Sequence, residues 1–355
     1  MKIKELQAEN FMLFSKLKLQ FSENVNVICG SNSTGKTAIL KLLYSIHKAY
    51  KQGASSDTKD ALSGRVASKL NGVFGTDHGS VGRLVKRGSA DKKAKISVTY
   101  DQEEMVDISF GSRAIKTVTC TVPEKNSSES PVNTAIYLPT KEIISSTENF
   151  ASLYEDYHIS FEETYYDLVK LLNRPLKKNN GDQKLQQLLS RLEEIIQGTV
   201  ITRDNKFYLQ ADENTELEMG LVSEGYRKLS TIDYLIRNGC MNEHSILFWD
   251  EPETNMNPGM IQPVAEAIKQ LASHGVQIFL TTHDYFLLQY LNMYMAYPAS
   301  NPEGMDIRFI SLYRDGKGNV EAESDRTIDG LSHNSIMEEF DAIYFREQGL
   351  IHDQM

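Results

Sequence analysis

The chain has 355 residues, of which 40% are hydrophobic and 24% charged, with a formal net charge of −10 at pH 7. That length allows one large α/β domain or two lobes, and the composition is ordinary for a soluble globular protein with a sizeable core. The acidic balance argues against a surface that coats nucleic acid generally and leaves only local basic patches; no run reaches the ~18 consecutive apolar residues that span a bilayer.

Met1 to Leu6 reads as an amphipathic first strand and not as a signal peptide, so a cytoplasmic setting without a membrane partner is expected. Cys29, Cys120 and Cys240 are odd in number and far apart. They make neither a disulfide framework nor a zinc site, and they suit a reducing compartment. Two strand-like runs enclose Asn10-Phe11-Met12-Leu13-Phe14, and Leu17, Leu19 and Phe21 alternate with Lys18 and Gln20 as in a half-buried strand. The apolar run Val25-Asn26-Val27-Ile28-Cys29 then leads into Gly30-Ser31-Asn32-Ser33-Thr34-Gly35-Lys36-Thr37, followed by a helical run from Ala38 towards Tyr50.

That octapeptide fits the phosphate-binding pattern G-x-x-x-x-G-K-[ST] in full, with the strand before it and the helix after it that the chemistry needs. Glycines let the backbone approach phosphates closely, and loop amides with a helix N-terminus offer partial positive charge. Lys36 is expected to reach the β- and γ-phosphates and the Thr37 hydroxyl to ligate Mg²⁺. The stretch is read as a nucleoside-triphosphate site.

Gln52 to Asp60 reads as a loop. Arg83, Lys86, Arg87, Lys92, Lys93 and Lys95 stand against a single Asp91, a run read as a solvated hairpin edge first and as a contact to nucleic-acid phosphates second. Ile96 to Tyr100, Val106 to Phe110 and Ala114 to Val122 predict an antiparallel meander. After the polar loop Glu124 to Ser130, Ala135-Ile136-Tyr137-Leu138-Pro139 predicts a buried strand. Phe161, Tyr165, Leu168, Val169 and Leu172 share one helical face, and Leu185, Leu188, Leu189, Leu192, Ile195 and Ile196 another. With breaks at Asn173-Arg174-Pro175 and Lys177 to Gly181, they are read as an intramolecular helical hairpin first and as a seat for a partner second. A β-hairpin turned at Asp204-Asn205 follows, then Leu217 to Val222, Ser223-Glu224-Gly225, and a helix with Leu229, Ile232, Leu235 and Ile236 on its apolar face.

Ser245 to Glu251 holds four apolar residues ending in Asp250 and Glu251, and Gln277 to Asp284 reads as another buried strand ending on polar residues that include His283. A helix between them, from Gly259 to Ala272, has Pro263 near its start. Ligands of α/β sheets gather at the carboxyl ends of strands. Asp250 is therefore the expected Mg²⁺ partner of Thr37, and Glu251 the carboxylate that orients or deprotonates the attacking water. His283 is placed to hydrogen-bond the γ-phosphate; His158, His274 and the others have no such placement and are read as structural. The tail predicts a hairpin, Arg308 to Tyr313 turned by Asp315-Gly316-Lys317-Gly318, and a helix near Ile336 to Phe345.

The order Gly30–Thr37, Ser223–Gly225, Asp250–Glu251, Glu253-Thr254-Asn255-Met256-Asn257-Pro258, Thr282-His283 resembles an ATP-binding-cassette ATPase of the soluble branch that includes SMC-type proteins and the OLD ATPases. The resemblance implies an α/β fold with a P-loop, a RecA-like core sheet, an antiparallel β-lobe and a short helical insert. The division expected is 1–140 and 221–355 for the two halves of the core, with 141–220 as the insert. It also implies ATP and Mg²⁺ as cofactors, Ser223, Glu224 and Gly225 as a signature capping the γ-phosphate of the opposite subunit, Glu251 as catalytic base, and Glu253 to Asn257 as a cross-dimer loop. The signature reads Ser-Glu-Gly in place of the transporter Ser-Gly-Gly-Gln, and Lys141-Glu142 stands where such proteins carry a glutamine. The insert has no Cys-x-x-Cys and is too short for a coiled coil ending in a zinc hook. The expected assembly is a homodimer through ATP, working as the sensor or regulatory subunit of an anti-phage defence or DNA-transaction system. Its effector, a nuclease or toxin, would be a separate polypeptide, and DNA a possible ligand. A non-hydrolysing ATP-held scaffold and a transporter subunit are the alternatives.

Overall fold

The computed structural model describes residues 1–51, 59–88, 92–101, 104–122, 134–157, 159–177 and 183–352. The first two strands, β1 (Ile3–Phe11) and β2 (Phe14–Gln20), alternate as their sequence predicts, with Leu6, Ala8, Leu17 and Leu19 inward. The next strand, β3 (Val25–Gly30), is buried at every residue, which is what a continuous apolar run requires when both faces of a sheet are covered. It feeds α1 (Lys36–Lys51), and α2 (Lys59–Phe74) packs against that helix. The later part of the expected Gln52 to Asp60 loop is therefore helix, and residues 52–58 lie outside the described residues.

Then come β4 (Ala94–Tyr100), β5 (Met105–Phe110) and the short β6 (Thr119–Thr121), which join the first two strands in a five-stranded antiparallel sheet ordered β2-β1-β4-β5-β6. The expected third meander strand is thus confined to three residues. Its upstream part is diverted, because Gly82 N donates to Ala114 O at 2.8 Å and Val81 N to Ile115 O at 3.2 Å. The basic run does not form a hairpin edge either. Arg83 closes a 3₁₀ turn and pairs with Asp77, Lys86 Nζ donates to Leu13 O at 2.9 Å, and Lys92, Lys93 and Lys95 are exposed at the start of β4. Arg87 is exposed, and Asp91 and the Glu124 to Ser130 loop lie outside the described residues.

Further along are β7 (Ala135–Leu138), α3 (Phe150–Tyr157), α4 (Glu163–Leu172), α5 (Gln183–Ile196), β8 (Thr199–Arg203), β9 (Lys206–Gln210), β10 (Glu216–Glu218) and α6 (Glu224–Arg237). The last third adds β11 (Ile246–Asp250), α7 (Ile261–Ser273), β12 (Gln277–Thr281), α8 (Tyr285–Ala296), β13 (Ile307–Arg314), β14 (Val320–Asp325) and α9 (Ser335–His352). A six-stranded sheet runs β14-β13-β3-β12-β11-β7, parallel except for the edge hairpin β13–β14. A three-stranded sheet, β10-β9-β8, turns at Asp204 and Asn205, whose φ values of 50° and 61° suit a tight hairpin.

The six-stranded sheet separates two apolar clusters. On one face Ile28, Phe248 and Phe279 meet α1, α2 and the antiparallel sheet; on the other Val27, Leu247 and Leu280 meet α4 to α8. The phosphate-loop helix is therefore sandwiched between two sheets. The expected helical hairpin is not formed by mutual packing: α4 lies on α2, α3, β7 and α6, whereas α5 lies on α6 and α7. Apart from the exposed Phe161, both apolar stripes contribute to the same core cluster and do not form a separate hairpin interface. The three cysteines are buried and unpaired, and among the described residues no helix is long and apolar enough to cross a membrane.

Candidate nucleotide site

Strand β3 ends at Gly30 with φ 135°, where a Cβ would stand 2.1 Å from the carbonyl oxygen of Leu312 on β13. Gly35 has φ 95°, and a Cβ there would stand 2.6 Å from Cζ of the buried Phe14. The two glycines of the loop are thus demanded from behind, by a neighbouring strand and by the β1–β2 turn, independently of any need to approach phosphate. This gives Asn10-Phe11-Met12-Leu13-Phe14 its physical role: Asn10 and Met12 take positive φ so that Phe11 and Phe14 both point inward.

Ser31, Asn32 and Ser33 are exposed at the loop apex, and Thr34 is buried with its hydroxyl donating to Ser31 O at 2.8 Å. Lys36 is 6% exposed and donates to Gly30 O at 2.8 Å and Ser31 O at 3.0 Å. Burial pulls its pKa down, while the carboxylates of Glu251 and Asp250 oppose that shift. A mostly desolvated ammonium at the N-terminus of α1 suits an anion, because burial strips it of competing water and the helix end adds partial positive charge.

The parallel register carries the acids to the same edge. Asp250 is opposite Thr281 across β11–β12, and β12 is next to β3. Thr37 Oγ1 donates to Asp250 Oδ1 at 3.0 Å, Thr281 Oγ1 donates to the same oxygen at 2.6 Å, and the Tyr137 hydroxyl donates to Oδ2 at 3.2 Å. Thr281 Oγ1 also accepts from Glu251 N at 3.1 Å, so one hydroxyl spaces the two acids. Glu251 has φ 49°, a left-handed backbone that turns its side chain off the strand line. Its Oε1 is hydrogen-bonded to His283 Nε2, and its Oε2 accepts from Thr254 Oγ1 at 3.2 Å. Glu253 holds the other side of the histidine: its Oε1 accepts from Thr282 Oγ1 at 2.7 Å and from His283 N at 3.0 Å, and burial raises its pKa.

Thr37 and Asp250 offer a hydroxyl and a carboxylate, the hard oxygen donors suited to Mg²⁺, which takes one or two protein ligands beside phosphate and water. A closed all-protein cage would not suit that ion, and among the described residues no group of three or more His, Cys, Asp or Glu could hold a metal. The residues present fit Mg²⁺ held jointly with a nucleotide.

The phosphate loop, through Thr37, is therefore joined to Asp250, Glu251 and His283 in one hydrogen-bonded chain that passes through Thr281. Ser223, Glu224 and Gly225 do not join them: among the described residues no hydrogen bond links them to the phosphate loop. Ser223 is exposed at the N-cap position of α6, and its hydroxyl makes no capping bond. Lys141 is exposed, and Glu142 lies 2.9 Å from Arg227 Nε on α6 and accepts from Ser145. Tyr137, Thr281 and Lys228 are the side chains around the site that sequence reasoning missed. The signal for Lys228 was a lysine in register with Ile232 and Leu235 on an apolar stripe. His158 lies outside the described residues, and His274 ends α7 away from the acids.

The AAA ATPase domain family AAA_15 matches residues 1–207. The DNA replication and repair protein RecF of Macrococcus caseolyticus (strain JCSC5402) is 29% identical over 97 residues, which are 27% of this chain and 26% of that protein. The RecF of Staphylococcus haemolyticus (strain JCSC1435) is 28% identical over 97 residues, with the same shares. The match thus spans about a quarter of the length of these curated relatives. Among solved structures, an Smc head bound to the C-winged helix domain of ScpA superposes with a TM-score of 0.56 at 11% identity, covering 92% of this chain and 98% of that one. An Smc head with an extended coiled coil, bound to the C-terminal domain of ScpA and derived from Pyrococcus furiosus, gives 0.53 at 11% identity, covering 97% and 99%. The fold is that of an SMC head.

Proposed function

This chain belongs to the AAA ATPase domain family AAA_15, and from that premise we propose that it binds ATP with Mg²⁺, closes as a pair of copies around it, and hydrolyses it. The observation that carries the reading is the alignment of three parallel strand ends. They set Thr37, Asp250 and the hydrogen-bonded Glu251–His283 pair along one edge beside the phosphate loop. Thr37 and Asp250 would hold Mg²⁺, which when bound neutralises charge on the phosphate oxygens. Lys36 and the loop amides bind and orient the phosphates. Glu251 accepts the proton of the attacking water, with Thr254 and His283 fixing its two oxygens.

The exposed, uncapped Ser223 supports the two-copy assembly, because its hydroxyl at a helix N-terminus faces outward to where another molecule's phosphate could be received. In this reading residues 1–140 and 221–355 form the core halves and 141–220 the insert. The terminal phosphate bridges the copies, so hydrolysis loosens them. Glu251→Gln is expected to lower turnover by about 10²–10⁴-fold and to trap an ATP-dependent dimer, seen by light scattering. Persistence of a single copy with saturating ATP would defeat this assembly.

At the level of pathway, we read the switch as a sensor or regulatory subunit in a DNA transaction or anti-phage defence, with a separate nuclease or toxin as effector and a cytoplasmic setting. The RecF relatives, named for DNA replication and repair, and the Smc heads bound to ScpA support a DNA-linked role and a separate protein partner. Stimulation of ATP hydrolysis by DNA is the expected outcome; identical rates with and without single- and double-stranded DNA would remove the DNA arm.

A further inference from the structure

Lys228 lies one helical turn after Glu224 and is 4% exposed. Its ammonium reaches the loop after β11 and donates to three backbone carbonyls: Thr254 at 2.8 Å, Pro252 at 3.3 Å and Glu251 at 3.4 Å. Three N–H groups on three carbonyls use the full donor capacity of an ammonium. The loop they grip runs through left-handed backbone at Glu251 (φ 49°) and Asn255 (φ 62°), conformations that persist only where the surroundings over-determine them. Burial lowers the Lys228 pKa, while Glu224, Glu253 and Glu251 oppose that shift. A second tie joins the same two elements at their exposed end, Asn255 Nδ2 donating to Glu224 Oε2 at 3.0 Å.

We propose that Lys228 is a positioning residue that makes the loop Glu251–Asn255 and the first turn of α6 move as one body, so that seating Ser223–Gly225 on a second copy's nucleotide sets the Glu251 carboxylate in the chain's own site. The inference rests on the ATP-bridged pair proposed above. Its physical content is a lever with no slack. α6 cannot tilt to meet the other copy without carrying the Glu251 carbonyl, and a turn at that carbonyl re-aims the side chain one bond away. Each site then becomes competent only when its owner is docked, and the rate rises more steeply than linearly with ATP.

Lys228→Met keeps the length of the stem and removes all three donors. Expected is ATP affinity within about twofold of wild type by titration calorimetry, because no phosphate contact is touched, and kcat lower by about 10- to 100-fold through misplacement of the carboxylate. The rate should also lose its steep dependence on ATP. Wild-type kcat and steepness in this variant would overturn the inference. Should Lys228→Met not fold, Asn255→Ala breaks the second tie at an exposed position. It is expected to lower kcat by about 2- to 10-fold at unchanged ATP affinity, and an unchanged kcat counts against the lever. Glu251→Gln, run alongside, separates the two failures. If it stays a single copy in ATP, the bridged pair falls; if it pairs while Lys228→Met turns over normally, only the lever falls.

Discussion

Tyr137 stands on β7, separated from the phosphate-loop strand β3 by β12 and β11, with its buried hydroxyl 3.2 Å from Asp250 Oδ2. Burial and the Asp250 charge push its pKa well above the usual phenol value, so it donates a proton and does not compete for the cation. Tyr137→Phe is expected to raise the Mg²⁺ concentration for half-maximal turnover by about tenfold, the scale of losing a partner that orients a metal ligand. An unchanged Mg²⁺ titration would show Asp250 to be held well enough by Thr281. A second residue sets a pH dependence. Asp233 is buried in α6 with Oδ2 on Arg237 Nε at 2.8 Å and Oδ1 unpartnered, and burial raises its pKa from 3.8 to about 6 despite Arg237. The folded state then binds the extra proton between those two values, so this group's contribution to stability is fully present below about pH 4 and is lost as pH rises through 6. The loss is about 3 kcal/mol. Asp233→Asn should abolish that slope in urea unfolding measured at pH 4.5 and pH 7.5; an identical slope in the variant would refute the assignment. The residues that sequence made legible, Gly30 to Thr37, Asp250, Glu251 and His283, sit at strand ends or in a motif whose spacing is local. Tyr137, Thr281 and Lys228 were not, because their partners depend on which strand lies beside which and on how a loop of positive-φ residues turns.

At the scale of elements, α1, α2 and α4 are joined by a buried polar knot. Lys69 Nζ lies 2.6 Å from Glu163 Oε1 and 2.9 Å from Asp167 Oδ2, which also accepts from the Tyr44 hydroxyl at 2.6 Å. With Lys69 only 7% exposed at its side chain, Lys69→Met leaves two carboxylates without their cation. The expected cost is about 3–5 kcal/mol, read from the urea midpoint; a shift below a third of that would mean the knot is hydrated. The parallel strands were legible because a strand covered on both faces has no polar alternation to lose. Helix α8 was not: Leu287, Leu288 and Leu291 face the core while Phe286 and Met293 face outward, so apolar residues stand on both faces and no stripe shows. Helix α2 has a stripe in Leu62, Val66, Leu70 and Val73, but Gly64 and Gly72 weaken its intrinsic preference. The tail hairpin was legible as a hairpin, yet nothing local tells that β13 lies against β3 and backs the phosphate loop.

For the whole molecule, two copies each carrying −10 must approach, and their mutual repulsion opposes closure. The ATP-trapped Glu251→Gln dimer is therefore expected to tighten when salt rises from about 50 to about 200 mM, as the Debye length shrinks below ~10 Å. A dimer that weakens instead would place complementary charge at the contact. The sheet order has a different consequence, for synthesis. Strand β3 is bordered by β12 and β13, which belong to the last quarter of the chain. While the ribosome is still short of residue 277, the emerging polypeptide displays a strand with two bare flanks, open to any stray partner until its neighbours arrive. Copies made only as far as residue 276 are thus expected clients of a holding chaperone, and they lack Thr281 and His283 at the pocket, so nucleotide capture is expected to wait for these two strands.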